Sequence, residues 1–194
     1  MGVRAIVFKN RGALLAIPAL ILVIFGKPGG ASIFSGLGLA FLGEAIRCWA
    51  VGYSGTTTRA DHVVAPQLVT AGPYAYMRNP LYVGNFITAL GFALAFTGNN
   101  PPTERLILIG ASLAVMLAVY ATIVPHEESF LRATFGASYD EYMLRVPRVW
   151  PRQPKLSAAQ LGTYDASVIG RAETRTFVFF GLMLVVLALK AFVL

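Results

Sequence analysis

Five apolar stretches, near residues 12–26, 31–53, 81–98, 105–124 and 176–194, leave this chain few ways to fold. A helix needs roughly 20 apolar residues to cross a hydrocarbon core of about 30 Å, and lipid offers no partner for an open backbone. Four of the five stretches are long enough. The first rises only about 22 Å as a helix, but Arg4, Lys9, Arg11 and Lys27 flank it and can lengthen it by snorkelling. A cleaved signal peptide would share its basic start and short apolar run. However, no A-x-A-like site follows and the next stretch begins almost at once. The expected architecture is all-α: a polytopic transmembrane helical bundle of about five spans with short cytosolic helices. It forms one integral membrane domain over 1–194, in which 152–175 is a cytosolic connection to an extra C-terminal span at 176–194.

Charge distribution orients this bundle. With a cytosolic N-terminus, the inner segments hold Arg4, Lys9, Arg11, Arg59, Arg78, Arg132, Arg145, Arg148, Arg152, Lys155, Arg171 and Arg175. These are 12 of the 16 Lys and Arg. The outer connections hold little beyond Lys27, a strong positive-inside pattern. The net charge of +7 and the 56% hydrophobic content therefore read as membrane orientation and attraction to anionic lipid. No soluble basic face offers itself to nucleic acid. The short loops point to an inner or plasma membrane. Cys48 is alone and lies inside a span. The histidines, His62 and His126, form no cluster with it, so no metal site is expected.

Turn chemistry sets the helix ends. Asn79-Pro80 reads as N-cap and first helical residue of the third span. Asn99-Asn100-Pro101-Pro102 is a tight outer turn, after which Thr103 can cap the fourth span. Pro125 is expected to break or kink that span near its exit, with Glu127 and Glu128 opening the next helix. Phe130, Leu131, Phe135, Tyr139 and Tyr142 form an apolar stripe interrupted by Gly136, and Ser138-Tyr139-Asp140-Glu141 has capping-box spacing. Within the second span, Glu44 and Arg47 stand at i and i+3 and can pair towards the bundle interior. Nothing in 54–79 reads as a long helix, and Pro147, Pro151 and Pro154 argue against one in the segment that they occupy.

Two polar clusters then fall at the same membrane face. One is Leu68-Val69-Thr70-Ala71-Gly72-Pro73-Tyr74 with Arg78-Asn79-Pro80-Leu81-Tyr82-Val83-Gly84. The other is Val124-Pro125-His126-Glu127-Glu128 with Phe135-Gly136, Tyr139, Tyr142, Arg145-Val146-Pro147-Arg148 and Pro151. Singly, each has a plain structural reading: acidic residues suit a helix start, Arg78 suits a lipid anchor, and Tyr74, Tyr76 and Tyr82 suit an interfacial belt. In this order and spacing they resemble the isoprenylcysteine carboxyl methyltransferase family, and the related phospholipid N-methyltransferases.

The resemblance implies an integral membrane methyltransferase that uses S-adenosylmethionine on a lipidic or prenylated hydrophobic substrate. Carried over by position, Leu68, Val69, Tyr74, Asn79, Pro80, Leu81, Tyr82 and Glu127 contact the cofactor, while Arg78 and Glu128 take catalytic or supporting roles. Asn79 stands where family members commonly have His. Ile123 stands where they tend to carry an Arg facing the substrate carboxylate. Methylation of a phospholipid amine is the alternative within the enzyme class. Outside it stands a non-enzymatic transporter or scaffold, for which only Glu44 and Arg47 approach the membrane midplane.

Overall fold

The computed structural model describes residues 3–55, 64–153 and 161–192. Expectations that involve residues 56–58, Arg59, His62, Pro154 and Lys155 fall outside these. The described helices are α1 (Val3–Lys9), α2 (Arg11–Phe25), α3 (Ser32–Ser54), α4 (Pro80–Phe96), α5 (Pro102–Phe135), α6 (Ala137–Arg145) and α7 (Ser167–Phe192), with a 3-10 turn at Gly72–Ala75. Helices α3, α5 and α7 are long and apolar enough to cross a membrane, and α2 and α4 are shorter apolar helices. The chain is thus the all-helical bundle of about five spans expected from the sequence.

Two ends can be told apart. At the hairpin end the α2–α3 and α4–α5 connections are stitched together through backbone carbonyls. Asn99 N–H donates to Lys27 O (2.8 Å), Asn100 Nδ2 donates to Phe25 O (3.1 Å), and Lys27 N–H donates to Asn100 Oδ1 (2.7 Å). Lys190 Nζ on α7 reaches Val23 O at 2.6 Å. All polar groups of a turn that meets the bilayer need such partners. The opposite end gathers α1, the residues from 64 to 79, the exit of α5, α6 and the start of α7.

Helices α3 and α4 make the closest pair in the bundle, along a seam of small residues. A Cβ on Gly36 would lie 2.5 Å from Gly91 O, and one on Gly84 would lie 2.7 Å from Gly43 O. Without a hydrophobic drive between helices in lipid, dispersion at this range and a Thr88 hydroxyl donating to Ala40 O (3.3 Å) hold the seam. Around it, Leu22, Phe92, Phe96, Phe180 and Leu187 pack the hairpin half of the bundle. Phe8, Met116, Val119, Ile123 and Val124 pack the other half.

Several local expectations are corrected. Helix α5 runs through Pro125 to Phe135 without ending there. Proline removes one rung of the hydrogen-bond ladder, while Ile123 and Val124 on one side and Glu128 on the other remain anchored. Glu127 and Glu128 therefore lie on the continuing helix and do not open a new one. The 19 residues 106–124 carry no charge and rise about 28 Å, so Pro125 onward extends beyond the hydrocarbon core. Thr103 makes no cap, because Pro102 already occupies the first helical position. Ser138 makes none either: Gly136, at φ +53°, turns the chain so sharply that α6 starts at Ala137. The last helix begins at Ser167, ahead of the expected 176. That early start brings Glu173 into the bundle. Arg47 Nη2 donates to both Glu173 carboxylate oxygens at 2.7 Å, and the expected pairing with Glu44 is present as a looser contact, 3.9 Å from Arg47 Nε.

The seam makes a stability difference measurable. Gly43→Ala pushes a methyl group into Gly84 O and Thr88, at an expected cost of about 1–3 kcal/mol. Gly38→Ala meets nothing within 4 Å and should be neutral or stabilising. Thermal unfolding of both variants in one detergent checks this.

Candidate active site

The cavity at the non-hairpin end grows out of how four segments terminate. Asn79 precedes α4, Pro80 opens it, and Tyr82 follows within the first turn. The exit of α5 brings Glu127 and Glu128 beside them. Gly72, at φ +60°, bends the preceding chain against the Tyr53 ring, where a Cβ would collide. Residues 68–71 are held from the other side: Leu161 O accepts from Thr70 N–H (2.8 Å) and Ala71 N–H (3.1 Å). Finally, Tyr142 Oη on α6 donates to Tyr74 O at 2.7 Å.

These segments enclose about 410 Å³, and all ten residues singled out in the sequence line it: Leu68, Val69, Tyr74, Arg78, Asn79, Pro80, Leu81, Tyr82, Glu127 and Glu128. Their side chains divide into two kinds. Arg78 and Glu128 are tied up in structure. Arg78 Nε and Nη2 donate to Glu128 Oε1 (3.1 and 3.0 Å), and its Nη1 donates to Val146 O (2.7 Å) and Met143 O (3.2 Å). Arg148 closes on Glu128 Oε2 at 2.5 Å. Asn79, expected to cap α4, makes no cap; its Nδ2 donates to Arg148 O at 3.1 Å and approaches Glu128 Oε1 at 3.5 Å. Burial opposes ionisation of Glu128, but the bonds from Arg148 and Arg78 outweigh it and hold the carboxyl below its ordinary range.

Glu127 is of the other kind. It accepts one bond, from Tyr82 Oη at 2.7 Å. Burial raises its pKa to about 6, moderated by that bond and by Arg11. Burial likewise pushes the Tyr74 hydroxyl up to about 12, against a bond from Ser54, so this phenol stays neutral. Among the described residues, the site thus offers a single accessible carboxylate between neutral aromatic and proline faces. Arg47 and Asn85 line the cavity one turn deeper than Tyr82, and Arg11 and Arg175 line it as well. Sequence reasoning singled out Arg47 as the partner of Glu44 and missed Asn85. An arginine inside an apolar span demands polar neighbours, a signal that pointed in this direction. Ile123 is fully buried beside Phe8 and is not part of the cavity wall.

A profile of the phospholipid methyltransferase family matches residues 31–138, more than half of the chain. The chain belongs to this family. The match takes in α3, α4, all of α5 and the residues from Leu68 to Tyr82, and it leaves α7 outside. The protein-S-isoprenylcysteine O-methyltransferase of Schizosaccharomyces pombe is 36% identical over 126 residues, 62% of this chain and 50% of that protein. A probable protein-S-isoprenylcysteine O-methyltransferase of Oryza sativa subsp. indica is 33% identical over 117 residues, 58% of each. The cobalt-zinc-cadmium resistance protein CzcN of Cupriavidus metallidurans is 30% identical over 119 residues, 61% of this chain and 51% of that protein. The chain spans about half the length of the curated relatives it matches. No solved structure matches it. The resemblance carried by the two sequence clusters is borne out at the level of family.

Arg78 sits at the centre of the site's scaffolding. Arg78→Ala strands the Met143 and Val146 carbonyls and leaves Glu128 with Arg148 alone. Removing one partner of a buried pair costs about 3–5 kcal/mol. Backbone hydrogen exchange should accelerate at 143–148, while the protection of α3 and α4 within the bilayer is unchanged.

Proposed function

We propose that the chain is an integral membrane methyltransferase that takes its methyl group from S-adenosylmethionine. Its acceptor is a lipidic or prenylated hydrophobic molecule reaching a cytosolic-face site. The observation that carries this reading is the accessible Glu127 carboxylate in a cavity of ligand size, walled by Tyr74, Pro80 and Tyr82. The donor set fits the cofactor: a carboxylate held by one hydroxyl has lone pairs left for a cationic amino group, and aromatic and proline faces suit adenine. The bound cofactor supplies an electrophilic methyl group, and the protein's task is alignment of the acceptor. Leu68, Val69, Asn79 and Leu81 complete the cofactor wall. Arg78 and Glu128 act as positioning residues, since both are consumed in holding the site together. The basic residues gathered at this end support a cytosolic face.

Carboxyl methylation is favoured over phospholipid N-methylation by the inner wall. Arg47 lines the cavity below Tyr82, where its guanidinium has donors for an oxygen acid and no acceptor for an ammonium. An attacking carboxylate needs no general base, whereas an amine must first lose a proton. The names of the relatives from S. pombe and O. sativa support the same choice.

Calorimetric titration with S-adenosylhomocysteine tests the cofactor site. Micromolar binding is expected for the wild type and should weaken about a hundredfold in Glu127→Gln, the scale of a lost charge-assisted bond of about 1.5–3 kcal/mol. Equal binding by both proteins would remove Glu127 from the site. The pH dependence is a second check. Glu127 is ionised above about 6 in the free protein, so affinity should be full at neutral pH and fall as pH drops through that value. In Glu127→Gln this fall should be absent.

A further inference from the structure

The geometry points to Glu173, on the helix outside the family match, as a positioning residue that sets the hydrogen-bonding face of the acceptor site through Arg47 and Asn85. The inference rests on the methyltransferase reading and deepens it. Glu173 is fully buried, and both of its carboxylate oxygens accept from Arg47 Nη2 at 2.7 Å. Arg47 is itself buried on α3, and its Nη1 donates to Asn85 Oδ1 on α4. Three helices therefore meet at one guanidinium.

The chemistry of the chain of bonds is directional. Arginine has donors and no acceptor, so an amide facing it must present its oxygen. Asn85 is thereby held with its amino group turned away from Arg47; the residue lines the cavity, and the Tyr120 hydroxyl stands beside it. Asn85 lies three residues after Tyr82, whose hydroxyl holds Glu127, so on a helix the two face the same side, one turn apart. The amide N–H groups stand one turn deeper in the membrane than the cofactor carboxylate. A lipid-borne acceptor entering from the bilayer meets these donors with its polar end. They fit an oxygen acid and reject an ammonium, which has no lone pair to offer. Glu173 stabilises Arg47 in this orientation: without its carboxylate, the guanidinium would keep Glu44, 3.9 Å from Nε on its own helix, as counter-charge and would be drawn towards it.

Three variants test the relay: Glu173→Gln, Glu173→Asp and Asn85→Asp. Asn85→Asp keeps the acceptor for Arg47 but replaces the donor, so it remains informative if the Glu173 variants do not fold. The probe is N-acetyl-S-farnesylcysteine, titrated calorimetrically in the presence of saturating S-adenosylhomocysteine, with methyl transfer from labelled S-adenosylmethionine followed in parallel. Glu173→Gln and Asn85→Asp should each weaken probe binding and raise its KM about tenfold or more, the scale of one lost hydrogen bond to a charged group. S-adenosylhomocysteine affinity should stay within about twofold, since the Glu127 carboxylate is untouched. Glu173→Asp, which keeps the charge, should recover part of the loss. The double variant should lose little more than either single one, as expected of residues in one network. Unchanged probe affinity in Asn85→Asp, or additive losses in the double variant, would overturn the relay. So would a wild type that binds S-adenosylhomocysteine but not the probe, and in that case the methyltransferase reading stands. A wild type that binds neither removes both.

Discussion

Glu128 is the junction on which the site end depends. It stands on the extension of α5 and receives Arg78, from the residue just before Asn79 and α4, and Arg148, from beyond α6. A carboxylate this buried is costly unless it is paired, and here two guanidiniums share it. The pairing fixes the rotation of α5. Successive residues on a helix point about 100° apart, so turning Glu128 into the arginines leaves Glu127 facing Tyr82 and the cavity. One scaffold contact thereby aims the neighbouring functional group. The roles of the two adjacent acids are set by partners: the one with two arginines is locked and ionised, and the one with a single phenol is poised to titrate.

The spans were legible in the sequence because bilayer thickness imposes a minimum length on any apolar helix, and 31–53 and 105–124 satisfy it. The meeting of the two clusters was legible as well. Leu68–Gly84 and Pro125–Pro151 flank the α4–α5 hairpin, and a hairpin returns its ends to one face. What local rules missed are contacts that tertiary context decides. Pro125 reads as a stop, yet the packing of Ile123 and the tie at Glu128 carry α5 through it. Asn79 reads as a cap, whose oxygen would accept from a backbone N–H of α4, yet its amide donates to Arg148 O and approaches Glu128, and no cap forms. Arg47 signals a need for counter-charge, but its main partner is 126 residues away, a distance at which no periodicity speaks.

Helix α7 changes what counts as the site. The family match ends at 138, and a site drawn from it alone would omit Glu173. Nearby, Tyr164 packs against Tyr53, and Asp165 N–H donates to Gly52 O at 2.8 Å. The residues just ahead of α7 thus brace the exit of α3, while Leu161 pins 68–71. Cavity wall, inner wall and last helix are one mechanical unit, fastened at the far end by Lys190 on Val23 O.

The short helices have a consequence for the lipid. With 15 residues, α2 rises about 22 Å, and α4, with 17, rises about 25 Å; both fall short of a hydrocarbon core of about 30 Å. These two helices lie on the cavity side, and both carry residues that line it. A bilayer answers such mismatch by thinning locally. Headgroups beside α2 and α4 are therefore drawn a few ångströms towards the midplane. A bilayer thinned in this way around the protein brings its headgroup layer closer to the cavity.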